Sequence, residues 1–76
     1  MQQKILQHIY NHFKETGTSL CYVQFNLISK NTVAVRNAIK NLENEGYIQI
    51  SHPAIGAIYA YLTEYGLSFC EQSDAL

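Results

Sequence analysis

The sequence predicts a mainly α domain with a small β hairpin, an α+β fold in the order helix, helix, helix, strand, strand, helix. Apolar residues recur at helical spacing in two segments before Gly46. After that glycine, two short runs rich in Tyr, Ile and Ala flank the only proline. With 76 residues, 47% of them hydrophobic, the chain has material for one core and not for two. Residues 1–76 are therefore expected to form a single domain whose last four residues fray.

The first helix is predicted over residues 2–16. Its apolar side chains share one face, at four-residue spacing with neighbours beside them: Ile5, Leu6, Ile9, Tyr10 and Phe13. Gly17 is expected to end this helix, because glycine adopts positive φ without strain.

The second helix is predicted to be short, over residues 20–28, with Thr18 or Ser19 as its N-cap. Val23 and Leu27 are expected to face the core, together with Leu20 or Ile28. Tyr, Val and Phe at positions 22, 23 and 25 also favour strands, so β structure remains an alternative for this segment.

The third helix is the best-defined element. Asn31 or Ser29 is suited to cap its start, and Gly46 is suited to end it. Its core-facing residues fall at i, i+3, i+4 and i+7: Val35, Ala38, Ile39 and Leu42.

The remaining elements are two strands and a final helix. Strands are predicted over residues 47–51 and 57–62, joined by a loop at residues 52–56 that holds Pro and Gly. Thr63 is suited to cap the last helix, predicted over residues 64–72. This helix is apolar on two sides, Tyr65 with Phe69 and Leu67 with Cys70, as expected for a helix that is deeply buried or shared between the core and a partner.

Charge is distributed unevenly along the chain, although the formal net charge is only −1. Residues 1–42 carry five cations and one acid, and residues 43–76 carry five acids and no cation. Three of the cations lie between Glu15 and Glu43, a window without acids. Such asymmetry favours a polyanion, and nucleic acid in particular, as a partner of this window.

Several protein classes fit the sequence poorly. Two cysteines 49 residues apart suggest reduced, core-lining thiols rather than a disulfide scaffold. No apolar run approaches the ~18–20 residues of a membrane span. We therefore expect a soluble, cytoplasmic protein with no membrane partner.

Neither a metal nor a catalytic centre is predicted. His8 and His12 stand four residues apart on the first helix, but no further ligand motif accompanies them. No nucleophile–base set, phosphate-binding glycine loop or carboxylate pair with a cleft is recognisable. The expectation is a protein that is not an enzyme and that uses no cofactor, with no evident small-molecule effector.

Two motifs resemble a known family. Leu42-Glu43-Asn44-Glu45-Gly46-Tyr47-Ile48 resembles the run that ends the recognition helix and begins the wing in bacterial and archaeal winged helix-turn-helix regulators. Leu62-Thr63-Glu64-Tyr65-Gly66 resembles the Leu-Thr-x-x-Gly that follows the wing in MarR-type and related proteins. With the helix before the first motif, the resemblance covers residues 32–66.

The resemblance implies sequence-specific binding of double-stranded DNA by a small transcriptional regulator, acting as a homodimer. The third helix would enter the major groove, the second helix and the turn would rest on phosphates, and the wing would lie on the adjacent backbone. Arg suits a guanine edge, Asn an adenine edge, and Lys or Thr a phosphate. The predicted DNA-binding residues are Lys30, Asn31, Thr32, Val33, Arg36, Asn37, Lys40, Asn41 and His52.

A second interpretation uses the same fold as a protein–protein adaptor without DNA binding. The wing loop has no Lys or Arg, the last 34 residues are acidic, and the chain holds six tyrosines, a residue enriched at interfaces. Tyr59, Tyr61 and Tyr65 on one open patch would favour the adaptor. An architectural or recombination factor would use the same surface as the regulator. The first and last helices are the candidate dimer surfaces.

Overall fold

The computed structural model describes the backbone of residues 1–74 and the side chains of residues 1–72. It has an α+β fold in which four helices accompany a three-stranded antiparallel sheet. The elements are α1 (Gln2–Thr16), β1 (Leu20–Gln24), α2 (Phe25–Ile28), α3 (Thr32–Asn44), β2 (Ile48–Ala54), β3 (Ala57–Leu62) and α4 (Glu64–Asp74). The last helix includes residues 73 and 74, where the sequence predicts fraying; residues 75–76 lie outside the described residues.

The sheet has the order β1-β3-β2, so β3 is the central strand. β1 pairs with β3 from Leu20 opposite Tyr61 to Gln24 opposite Ala57. β2 pairs with β3 around an irregularity between Ile50 and His52. The hairpin turn is only Ile55-Gly56, because β2 extends to Ala54, and the predicted five-residue loop over 52–56 is therefore wrong.

Strand β1 occupies the first part of the segment predicted as the second helix, so that prediction is wrong over residues 20–24. Cys21 and Val23 are buried while Tyr22 and Gln24 are exposed, an alternation with the period of a strand. Backbone pairing with β3 uses the hydrogen-bonding groups that a helix would have used internally. Helical structure remains only in the single turn α2.

The single turn α2 also changes which side chains face the core. Val23 and Ile28 are buried as expected, and Leu20 is half-buried. Leu27, predicted to face inward, is 70% exposed.

The end of α1 and both ends of α3 lie at the capping residues that the sequence predicts. Gly17 follows α1 with a φ of 75°, and its N–H donates to the Phe13 carbonyl at 2.8 Å. The Asn31 Oδ1 accepts from the Ala34 N–H at 3.1 Å and caps α3. Gly46 has a φ of 87° just after α3. These glycines adopt a left-handed conformation that other residues rarely adopt.

One hydrophobic core lies between α1, α3 and the inner face of the sheet. The predicted inward faces of α1 and α3 are confirmed, except that Phe13 is half-buried. Cys21 and Cys70 are both buried, as expected for core-lining thiols, and they are not joined in a disulfide. Burial raises the pKa of the Cys21 thiol, which therefore stays protonated and unreactive.

The start of α4 is tied to the end of α3. The Thr63 hydroxyl donates to the Gly46 and Tyr47 carbonyls and accepts from the Gly66 N–H at 3.0 Å, which confirms Thr63 as the N-cap. Leu67 and Cys70 pack toward the core, whereas Tyr65 and Phe69 remain 60% and 40% exposed. α4 is therefore shared between the core and the surface.

Candidate functional site

The exposed face of α3 holds most of the predicted site. The side chain of Asn31 caps the start of α3. Its amide oxygen is therefore used in capping and is not available to a ligand. The following residues are exposed on α3 or in the turn before it: Lys30, Thr32, Val33, Arg36, Asn37, Lys40 and Asn41. The structure thus brings eight of the nine predicted residues together.

This face has two flanks with different chemistry. Arg36 and Lys40 lie toward the β2–β3 hairpin, where they line a cleft with Pro53 and Ala54. Asn37 and Asn41 lie toward the beginning of α1, in a shallow depression that Met1 and Gln2–Gln3 also line. One edge of α3 is therefore cationic, and the other presents amides.

The charges on the cationic edge are not neutralised within the fold. The Arg36 guanidinium carbon lies 5.8 Å from the centre of the Phe25 ring. Across residues 1–72, neither Arg36 nor Lys40 forms an ion pair with a carboxylate. Their positive charge is available to an external anion.

The cations of α1 are placed differently. The Lys4 ammonium donates to the Ile28 carbonyl at 3.2 Å and thereby joins α1 to α2. The Lys14 ammonium lies 4.7 Å from the centre of the Tyr10 ring. Both therefore have contacts within the fold.

The turn between α2 and α3 is fixed by short-range hydrogen bonds. The Ser29 hydroxyl accepts from the Asn31 N–H at 3.2 Å, and the Lys30 carbonyl accepts from the Thr32 N–H at 3.1 Å. The Phe25 N–H donates to the Gly56 carbonyl at 3.0 Å, so the hairpin tip is attached to the start of α2. α2 therefore connects the hairpin to α3 and fixes the position of one relative to the other.

His52 does not join the rest of the predicted site. It stands opposite Tyr59, which is exposed between the buried residues Ile58 and Ala60. Since paired residues share a face of the sheet, His52 lies on the outer face, away from α3. Its Nδ1 is 3.0 Å from the Ser51 hydroxyl. The irregularity before His52 determines this orientation, and the sequence gives no signal for it.

The outer face of the sheet carries an aromatic patch. The Tyr22 and Tyr59 ring centres are 4.8 Å apart, and Tyr61 follows on the same face. These three side chains are 46%, 42% and 41% exposed. Tyr22 is not predicted on this face, because the sequence pattern places that residue in a helix.

Tyr65, which would favour the adaptor interpretation if it lay on one patch with Tyr59 and Tyr61, packs elsewhere. Its ring stacks on Tyr47 with centres 5.1 Å apart, and Phe69 contacts the same Tyr47 ring at 4.9 Å. A hydrogen bond with Tyr65 raises the pKa of the Tyr47 phenol, with smaller contributions from burial and nearby negative charge. The chain therefore presents aromatic side chains on α4 as well as on the sheet.

Within the described residues, no group of three or more His, Cys, Asp or Glu side chains could hold a metal ion. None of the described helices is both long enough and apolar enough to cross a bilayer. No model of a known protein family matches the chain, and no curated protein matches it in a sequence comparison.

Proposed function

We propose that this chain is a winged helix-turn-helix transcriptional regulator that binds double-stranded DNA sequence-specifically, with α3 in the major groove. The observation that carries the proposal is the exposed face of α3. There, Arg36 and Lys40 have no carboxylate partner among the described side chains and stand beside Asn37 and Asn41, and no acid occurs in residues 16–42. A helix exposed only to solvent more often carries acids and bases at i, i+4.

The arrangement of elements supports the same proposal. α2, a three-residue turn and α3 are followed directly by a hairpin, the order of a helix-turn-helix with a wing. β1 adds a third strand that pairs with β3 and leaves this order unchanged. The hairpin would act as the wing on the DNA backbone beside the major groove that α3 enters.

Each exposed residue has a suitable role in reading DNA. Arg36 can donate two hydrogen bonds to a guanine edge, and Asn37 or Asn41 can bind an adenine edge. Lys30 and Lys40 can contact phosphates, and the apolar Val33 can contact a thymine methyl group. The positive end of the α3 dipole, with no acid in the first turn, adds attraction for a phosphate.

The small number of cations implies that one copy binds weakly. Lys30, Arg36 and Lys40 would give a salt dependence with a slope of about −3. A homodimer would double the contacts and read half-sites about 34 Å apart. The half-exposed rings of Tyr65 and Phe69 on α4, beside α1, are the surface we assign to dimerisation. Two cysteines that form no disulfide suit the reducing cytoplasm.

Selection from a pool of randomised duplexes tests the proposal. The expected result is a recurrent motif bound at least about tenfold more tightly than its scrambled version, a discrimination that one good base contact supplies. The Arg36→Ala/Lys40→Ala variant should lose that discrimination. Sequence-specific binding that this variant retains would refute α3 as the reading element.

A second candidate function is a protein–protein adaptor, and the aromatic patch of Tyr22, Tyr59 and Tyr61 favours it. Tyrosines on an open sheet face are typical of interface centres. The distinguishing variant is Tyr22→Ser/Tyr61→Ser. If the chain binds DNA as proposed, this variant binds the selected duplex as tightly as the wild type does. If the chain is an adaptor, no duplex is selected, and among the variants only this one loses the protein partner.

A further inference from the structure

A cleft of about 370 Å³ separates α3 from the end of the hairpin. Its floor is formed by the buried side chains of Phe25, Ile39 and Ile58. Arg36 and Lys40 form the wall on the α3 side. The opposite wall belongs to the hairpin and includes Pro53, Ala54 and Ile55.

DNA contact does not account for this cleft. Seven of its nine lining residues are apolar, and the hairpin contributes neither Lys nor Arg to it. Phosphate oxygens require hydrogen-bond donors, and the side chains of the seven apolar lining residues offer none. Ile55 at the rim is fully exposed, so the apolar surface extends beyond the cavity itself. Apolar surface of this kind marks a protein contact more often than a solvated loop.

The charge at the cleft selects the kind of occupant. Arg36 lies over one end of the floor, 5.8 Å from the Phe25 ring, and Lys40 follows one helical turn later. The acid nearest in sequence is Glu43, whose carboxylate accepts from the Ile50 N–H at 2.8 Å. The occupant should therefore combine an apolar side chain with negative charge.

The spacing of the two cations matches an extended peptide. Residues four apart on a helix are separated by about 6 Å along its axis. Alternate residues of an extended chain are about 6.6 Å apart and point to one side, while the residue between them points to the other. An acid–apolar–acid segment could thus direct two carboxylates to α3 and one apolar side chain to the hairpin wall.

We propose that this cleft binds an acidic peptide segment of a partner protein. Carboxylates of the segment pair with Arg36 and Lys40, and one of its apolar side chains packs against the hairpin. The competition that follows rests on the proposed function, because the same two cations would face DNA. A bound peptide excludes DNA from α3 and so switches the regulator off.

The direct test is fluorescence anisotropy with labelled, end-capped peptide pools and no DNA present. The first pool alternates Asp or Glu with Leu or Phe. The second replaces Leu and Phe by Ser at equal charge, and the third replaces the acids by Lys. We expect the first pool to bind at least about tenfold more tightly than either control, a difference of about 1.4 kcal/mol in binding free energy. Equal binding of the first two pools, or no binding of the first at millimolar concentration, would overturn the proposal.

Two single variants then locate the peptide. Ile55→Ser removes apolar surface from the rim and should weaken binding of the first pool several-fold. Leu27→Ser is the matched control, because Leu27 is 70% exposed on α2 and does not line the cleft. Equal loss in both variants would show that the peptide binds elsewhere.

Competition separates this inference from the proposed function. The first pool should displace a labelled duplex from the wild-type protein in proportion to its own affinity. A ternary complex without displacement would refute mutual exclusion. Peptide binding by a protein that binds no duplex would refute the DNA proposal and leave the peptide site standing. Duplex binding without peptide binding would refute the peptide site and leave the DNA proposal standing.

Discussion

Replacing Arg36 and Lys40 together by alanine should change how salt affects DNA binding. Each Lys or Arg whose charge neutralises a DNA phosphate contributes roughly −0.9 to the slope of log affinity against log salt concentration, and Arg36 counts here because its charge enters the groove between the phosphates. Lys30, Arg36 and Lys40 together give a slope of about −3 for one copy of the chain, and the variant should retain about −1. The flatter slope is a direct count of the contacts that α3 loses.

The same variant should also bind more weakly at fixed salt. Losing a bidentate contact of Arg36 with a base costs about 1–3 kcal/mol, or roughly 5- to 150-fold in affinity. Both side chains are exposed, and the contact of Arg36 with the Phe25 ring is worth only about 0.5–1 kcal/mol to the fold. The variant should therefore remain folded, and circular dichroism checks that it does.

Fluorescence anisotropy with a labelled duplex, repeated across a salt series, measures both effects. Lys14→Ala is the control, because Lys14 lies on α1 over the Tyr10 ring, and its removal should leave the slope unchanged. An unchanged slope in the Arg36→Ala/Lys40→Ala protein would refute the assignment of α3 as the DNA-binding surface.

Four further substitutions test the fold that positions α3, each by urea unfolding. Thr63→Ala removes the hydroxyl that joins α3 to α4 and should cost about 1–2 kcal/mol, whereas Thr63→Ser should restore most of it. Gly66→Ala would place a Cβ against the Tyr47 carbonyl and should cost about 3 kcal/mol, although the exposed Ser68→Ala on the same helix should be nearly neutral. Asn31→Ala removes the α3 cap and should cost about 1 kcal/mol; no measurable loss would contradict the capping role. The Cys21 thiol has a higher pKa in the folded state than in the unfolded chain. As the pH rises above the pKa of the unfolded thiol, the unfolded chain loses this proton first, so the free energy of unfolding should fall. Cys21→Ala should make that fall shallower, and an identical pH profile would show that burial of this thiol does not contribute to it.

The elements with local signals could be predicted from the sequence. α1 and α3 have apolar residues at helical spacing, and their ends are marked by Gly17, Asn31 and Gly46. Thr63 likewise marks the start of α4. These features depend on residues within a few positions of one another, which is why the pattern alone suffices.

Strand β1 was not predictable in the same way. Tyr22 and Val23 favour a strand only weakly, and the pairing that decides the matter joins them to β3, about 36 residues later in the chain. The placement of His52 depends on the irregularity in β2 and on register with Tyr59. The apolar cleft has the same origin, because Phe25 from α2 and Ile58 from β3 meet only in the folded chain.

The central claim is that α3 and the turn before it form a DNA-binding surface. An amide-shift titration of isotope-labelled protein with a generic duplex, at low and then moderate salt, tests it most directly. We predict salt-sensitive shifts concentrated at residues 30–41, with smaller shifts at the hairpin tip. No shifts at low salt, or shifts confined to Tyr22, Tyr59 and Tyr61 on the outer face of the sheet, would contradict the claim.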